Sequence, residues 1–249
     1  MANLKNKVAL VTGSARGIGK AIAERFGALG ASVVVNYATS EGPAQETVAA
    51  ITRLGGTAMA VQADVAKVAD IDRLFAATLQ AYGRVDIVVA NAGLELVGKP
   101  IADVAESDYD RLFAVNTKGA FFTLQQAARH IADNGRIMYV GSSSTAFPRP
   151  GYGLYSGSKM APRFFVEVLA KELGPRGVTV NSILPTVTAG AGLSTDGVRP
   201  QADEFIRMFN PMQRAGTVGD VADAAEYLAG DLSAFVSGQH LLLTGGGPA

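Results

Sequence analysis

The sequence predicts an α/β fold: a single doubly wound, parallel, seven-stranded sheet with helices on both faces. Three observations carry that expectation. Seven short aliphatic or β-branched runs, KVALVT, ASVVVNY, TAMAVQADV, RVDIVVANAG, GRIMYVGSS, VTVNSILP and QHLLLTG, alternate with longer segments of helical period. Runs such as Val85 to Ala90 are nearly continuously apolar, as strands buried on both faces of a parallel sheet are. No linker, repeat or low-complexity tract divides the 249 residues, so residues 1–249 are expected to form one domain. Right-handed crossovers follow from the alternation.

Bulk composition removes several classes of function. Lysine plus arginine (22) equals aspartate plus glutamate (22), leaving no overall basic field for nucleic acid or an anionic membrane. The chain has no cysteine, hence neither disulfide nor thiolate nucleophile, and its two histidines, His130 and His240, have no ligand pattern around them. No metal site is expected. The apolar run Val8 to Val11 is too short for a signal segment or membrane span, so a cytoplasmic location is expected.

The first strand runs into Thr12, Gly13, Ser14, Ala15, Arg16, Gly17, Ile18 and Gly19, and then into a helical segment. Glycines there let backbone turn tightly against a pyrophosphate at a helix N-terminus, although GxxxGxG is not the general GxGxxG fingerprint. The second strand ends in Asn36, Tyr37, Ala38, Thr39 and Ser40, with no acid before Glu41. A carboxylate at that place holds the ribose 2′-hydroxyl of NAD; its absence, with Arg16 in the loop and Thr39 and Ser40 as donors, favours the 2′-phosphate of NADP(H). The alternative is a solvated Arg16 and an Asn36 serving the turn. Asp64, followed by Val65 at the end of the third strand, is either an adenine contact or a helix cap or turn residue. Asn91, Ala92 and Gly93 close the fourth strand at the same edge, where an ordinary turn is the competing reading.

The fifth strand delivers Ser142 to the carboxyl edge of the sheet, where a hydroxyl can bond a carbonyl oxygen. Thirteen residues on, Tyr155 and Lys159 fall four apart on an expected helix and so on one face. A tyrosine of pKa about 10 is a poor proton-transfer group at neutral pH. A lysine charge ~4 Å away in an effective dielectric of ~20 contributes about 4 kcal/mol, which would lower the phenol by roughly 2–3 pH units. Pro162 lacks the N–H owed to the Ser158 carbonyl, so a local kink is expected, serving either to adjust Lys159 or, as preferred, to pack at a subunit contact.

With these motifs in this order, TGSARGIG, NAG, the asparagine of FAVNTKG, Ser142 and Tyr155-SGS-Lys159, the chain resembles the short-chain dehydrogenase/reductase family over essentially its whole length, closest in flavour to NADPH-dependent ketone reductases and 3-oxoacyl-carrier-protein reductases. The resemblance implies a Rossmann-like fold, NADP(H), a small-molecule carbonyl substrate, a homotetramer and a tetrad of Asn116, Ser142, Tyr155 and Lys159. In that tetrad Tyr155 gives the proton, Ser142 orients the carbonyl, Lys159 lowers the tyrosine pKa and binds ribose, and Asn116 supports the lysine through water. It also makes Asp64 an adenine contact and Asn91 a cofactor-positioning residue. The chain departs from the pattern after the sixth strand, where Pro185, Thr186, Val187, Thr188, Ala189 and Gly190 replace the usual Pro-Gly; Thr188 is the substitute contact and Val187 a backbone one. A substrate lid is expected over about 185–215. Leu94 to Val97, Ser143 to Tyr152, Leu193, Phe205, Met208, Phe209 and Met212 would rim a mainly apolar pocket suited to an aliphatic or aromatic ketone. Glu95 is the exception, facing either a polar substrate group or, as preferred, solvent.

Overall fold

The computed structural model describes residues 1–192 and 210–247, together with Glu204 and Ile206. Its strands are β1 (Val8–Val11), β2 (Ser32–Tyr37), β3 (Thr57–Gln62), β4 (Val85–Ala90), β5 (Ile131–Val140), β6 (Thr179–Pro185), the short β7 (Thr188–Ala189) and β8 (Gly216–Thr217), and β9 (His240–Leu243). Helices α1 (Gly17–Ala28), α2 (Glu41–Arg53), α3 (Val68–Tyr82), α4 (Glu106–Phe113), α5 (Ala120–His130), α6 (Gly153–Leu173) and α7 (Val218–Ala229) separate them. The expected seven strands form one parallel sheet in the order β3-β2-β1-β4-β5-β6-β9.

Burial explains why those runs are strands. All six residues of β4 and all seven of β6 are buried, and the aliphatic positions alternate between two cores. One contains Ile22 and Phe26 of α1 and Val221 and Leu228 of α7; the other contains Leu74 and Phe75 of α3, Leu124 of α5 and Val166 of α6. Strand β3 lies at one edge and is only half-buried.

Strand β1 lies between β2 and β4, with the strand order running outward on either side. Ligands of such sheets bind outside the carboxyl ends at this switch point. The loops leaving β1 and β4 are tied there: Thr12 N–H donates to the Val89 carbonyl at 3.0 Å, and the Thr12 hydroxyl accepts from Asn91 N–H at 2.9 Å. Of the expected lid, β7 pairs with β8 and Met212 is exposed, while Leu193, Phe205, Met208 and Phe209 lie outside the described residues.

Candidate active site

The glycine loop bounds a cavity of about 540 Å³ that runs from Arg16, Tyr37, Thr39 and Ser40, past Asp64 and Val65, to Asn91, Tyr155 and Lys159. Gly13 has φ +62°, and a Cβ there would stand 2.9 Å from the Ala92 Cα. A Cβ on Gly19 would strike the Gly13 carbonyl and come within 2.5 Å of Asn91 Nδ2. Both glycines are therefore required for the loops of β1 and β4 to close on each other, leaving the cradle open beside α1. The Asn91 amide holds this junction, donating to the carbonyls of Thr12 (2.9 Å) and Gly13 (3.1 Å).

Two of the expected nucleotide contacts have a different job. Ser14 is fully buried; its hydroxyl donates to the Val11 carbonyl at 2.7 Å and accepts from Asn36 N–H at 3.0 Å. Its side chain faces the core because the strand-to-helix turn needs those bonds. Asn36 is likewise buried, accepting from Gly13 N–H at 3.0 Å and donating to the Ala63 carbonyl at 3.0 Å, so its amide braces the glycine loop against β3. Asp64 takes the turn reading: its carboxylate accepts from Ala66 N–H at 3.0 Å, although it also borders the cavity.

A second cavity of about 290 Å³ adjoins the first and shares Tyr155, Glu95 and Gly141 with it. Ser142, Tyr152, Val97, Pro185, Val187 and Thr188 line it. Thr188 is buried, with its hydroxyl turned to the Thr186 carbonyl at 2.8 Å. A further cavity, bounded by Asn210, Arg214 and Gly245, shares Thr188 and contains none of the four expected catalytic residues.

Of the four residues that the resemblance implies, Tyr155 and Lys159 share one cavity, Tyr155 and Ser142 the other, and Asn116 meets Lys159 at Gly93. Tyr155 and Lys159 project from the first turns of α6, and Ser142 caps the short 3-10 turn Ser143–Thr145 after β5. Asn116 sits in a π-helical turn, Ala114–Gly119, between α4 and α5. Such turns recur at functional sites because they re-aim side chains out of the regular ladder. The Asn116 amide accepts from Leu94 N–H at 2.7 Å and donates to the Leu94 carbonyl (2.9 Å) and the Ser158 hydroxyl (3.0 Å). Its side chain thereby fixes the strand-β4 loop to α6. Asn116 Oδ1 and Lys159 Nζ both pack on Gly93, where a Cβ would stand 2.8 Å from Nζ.

The electrostatics correct one expectation. Burial, with Glu95 next, pushes the Tyr155 phenol well above its ordinary value, and Ser142 pulls the other way. Lys159 is buried under the Tyr139 ring, 5.5 Å from its centroid, and donates to the Val140 carbonyl at 3.2 Å. Burial pulls its ammonium down to about 8, against a raising influence from Glu95. The Tyr155 phenol is thus neutral: burial dominates, and the one lowering influence on it comes from Ser142, not from Lys159 as expected. Glu95 is exposed, as preferred from sequence, yet it borders both cavities and raises the pKa of both Tyr155 and Lys159.

Helix α6 runs from Gly153 to Leu173 as one element with Pro162 inside it, and Pro162 is buried within the chain rather than presented to a neighbouring subunit. The Ser158 carbonyl that Pro162 cannot serve accepts instead from the Thr117 hydroxyl at 2.8 Å. Sequence reasoning missed this bond, the π-turn and the hydroxyl run Ser142, Ser144 and Ser156. The SSS run was the only signal for the last.

Residues 13–247 match a family model described as Enoyl-(Acyl carrier protein) reductase. Hydroxynaphthalene reductase-like protein Arp2 of Metarhizium acridum is 40% identical, over 98% of this chain and 96% of that protein. A short-chain dehydrogenase from Burkholderia cenocepacia, solved in complex with NADP, is 37% identical with a TM-score of 0.91, over 99% of this chain and 100% of that one. The landomycin C-6 ketoreductase LanV, solved with bound NADP and rabelomycin, is 33% identical with a TM-score of 0.88, over 98% and 97% of the two chains.

Proposed function

From the premise that this chain belongs to the short-chain dehydrogenase/reductase family of oxidoreductases, we propose that it is an NADPH-dependent carbonyl reductase, reducing a ketone to a secondary alcohol and reversible as an alcohol dehydrogenase. The observation that carries the proposal is the position of Tyr155, on the cavity that Ser142 also lines and one helical turn from Lys159, where the two cavities meet. NADPH fits the larger cavity: the Gly13 and Gly19 cradle has room only for backbone, and Arg16, Thr39 and Ser40 border its far end with no acid among them. Pro185, Val187 and Thr188 border the smaller cavity and would meet the nicotinamide end.

When bound, NADPH supplies the hydride. The chain's own residues do the rest. Ser142 donates a hydrogen bond to the substrate carbonyl oxygen and holds it beside Tyr155. Tyr155, kept protonated by its surroundings, gives its hydroxyl proton to that oxygen as negative charge develops there. Lys159, charged below about pH 8, stabilises the phenolate left behind and binds the ribose. Asn116 positions α6 through Ser158.

An aromatic ketone is the favoured substrate, because Tyr152, Val97, Pro185 and Val187 wall the smaller cavity and the name of one relative pairs reductase activity with a hydroxynaphthalene. A 3-oxoacyl-carrier-protein substrate would need a basic docking patch. Of its candidates Arg129, Arg163, Lys171 and Arg176, two are engaged within the fold: Arg163 donates to the Thr145 carbonyl and Arg176 pairs with Asp133. We further propose a cytoplasmic homotetramer that binds neither nucleic acid nor membrane; no helix among the described residues is long and apolar enough to cross a bilayer.

The test is cofactor oxidation with NADPH and NADH across aryl ketones, aliphatic ketones, β-keto esters and 3-oxoacyl thioesters. Turnover of an aryl ketone with NADPH, lost in Tyr155→Phe and shifted toward NADH in Arg16→Asp, is the expected result. NADPH binding without turnover would favour a nucleotide-sensing role, and full activity of Tyr155→Phe would remove the phenol from the proton-donor role.

A further inference from the structure

The three serines after β5 are not equivalent, and their hydrogen bonds have a direction. The Ser156 hydroxyl, one residue past Tyr155, donates to the Ser144 hydroxyl at 3.0 Å. Ser144 Oγ lies 2.9 Å from Ser142 Oγ, and Ser144 N–H donates to the same oxygen at 3.2 Å. Ser142 and Tyr155 line the same smaller cavity, and Ser142 lowers the phenol's pKa. Ser144 is buried, so an unused proton there carries a cost.

A hydroxyl has one proton and two acceptor positions. Were Ser142 to donate to Ser144, the Ser144 oxygen would accept twice, its proton would have no partner among these groups, and Ser142 would have no proton left for a ligand. In the opposite sense Ser156 donates to Ser144 and Ser144 to Ser142, which leaves the Ser142 proton for an acceptor in the cavity that Ser142 and Tyr155 line. Both acceptor positions of Ser142 are then filled by Ser144, one by its N–H and one by its O–H. Chains of this kind also polarise each successive donor.

We propose that Ser144 and Ser156 are positioning residues that lock the Ser142 hydroxyl as a donor to the substrate carbonyl oxygen. The proposal rests on the reductase reading. It gives the SSS run a mechanism: the 3-10 turn places Ser144 where it can reach both Ser142 and the catalytic helix.

The experiment compares wild type, Ser144→Ala, Ser144→Thr, Ser156→Ala and the Ser144→Ala/Ser156→Ala double variant. It measures kcat and KM for the best ketone and NADPH affinity by fluorescence. Ser144→Ala is expected to lose about tenfold in kcat, the scale of one hydrogen bond, with KM and NADPH affinity nearly unchanged. Ser156→Ala should lose about threefold, since it sets only the sense of the chain. Because the two act in series, the double variant should be no slower than Ser144→Ala, and Ser144→Thr should recover most of the rate. Losses that multiply in the double variant, a wild-type kcat in Ser144→Ala, or a loss of NADPH affinity that Thr does not restore would each overturn the proposal; Ser156→Ala decides the matter if Ser144→Ala does not fold. A wild-type protein inactive across the ketone panel overturns the reductase reading as well, and is distinguishable because wild type itself then fails.

Discussion

Lys159 carries the sharpest residue-scale consequence. Burial beneath Tyr139 brings its folded pKa to about 8, below the unfolded lysine value of about 10.4. The ammonium that the proposed mechanism needs is therefore present below about pH 8 and lost above it. Since Tyr155 is pushed up and stays protonated over that range, the limb belongs to the lysine. The pH profile of kcat/KM, which reports groups of the unliganded enzyme, is expected to fall as pH rises through about 8. In Glu95→Gln the limb should move to lower pH, because Glu95 raises Lys159. A limb that stays in place in Glu95→Gln would show that this carboxylate does not act on the lysine. The same depression sets a stability trend: between about 8 and about 10.4 the unfolded chain binds more protons, so the fold gains stability as pH rises through that window.

Within the elements, the seven strands, the glycine turn and the Tyr155–Lys159 pair were legible because each depends on local period or spacing. What was not legible depends on partners distant in sequence. Ser14 and Asn36 look like ligand donors until Val11, Gly13 and Ala63 claim them. The donor that serves the Ser158 carbonyl in place of residue 162 is Thr117, 41 residues from Ser158. That last pairing gives a double-mutant cycle. Thr117→Val leaves the Ser158 carbonyl without its donor and should cost about 1–3 kcal/mol in urea unfolding. In the Pro162→Ala background, where residue 162 regains an N–H that can serve that carbonyl, the same change should cost distinctly less. Equal costs in the two backgrounds would show that the Thr117 bond does not compensate for the proline.

Taken as a whole, the molecule leaves apolar surface uncovered in a pattern. Met160, Phe164 and Val168 are exposed at a spacing of four along α6, and Phe121 of α5 is exposed beside them, its ring 5.1 Å from that of Phe165. A stripe of that period normally faces a core; here it faces outward from the helix whose inner side holds Ser158, Lys159 and Pro162. At the far edge of the sheet, β9 has only β6 as a neighbour among the described residues, and its Leu241 and Leu242 are exposed. Two separate self-complementary patches are what a tetramer of twofold symmetry needs, one for each class of contact. Light scattering on the eluting protein is accordingly expected to give four chains, and Phe164→Asp, which puts a charge in the centre of the first stripe, should give two. Because α6 also carries Tyr155 and Lys159, that dimer should retain its fold yet turn over more slowly. A wild-type protein that elutes as a single chain at micromolar concentration would mean that neither patch is an interface between copies, and a tetramer unaffected by Phe164→Asp would move the contact away from α6.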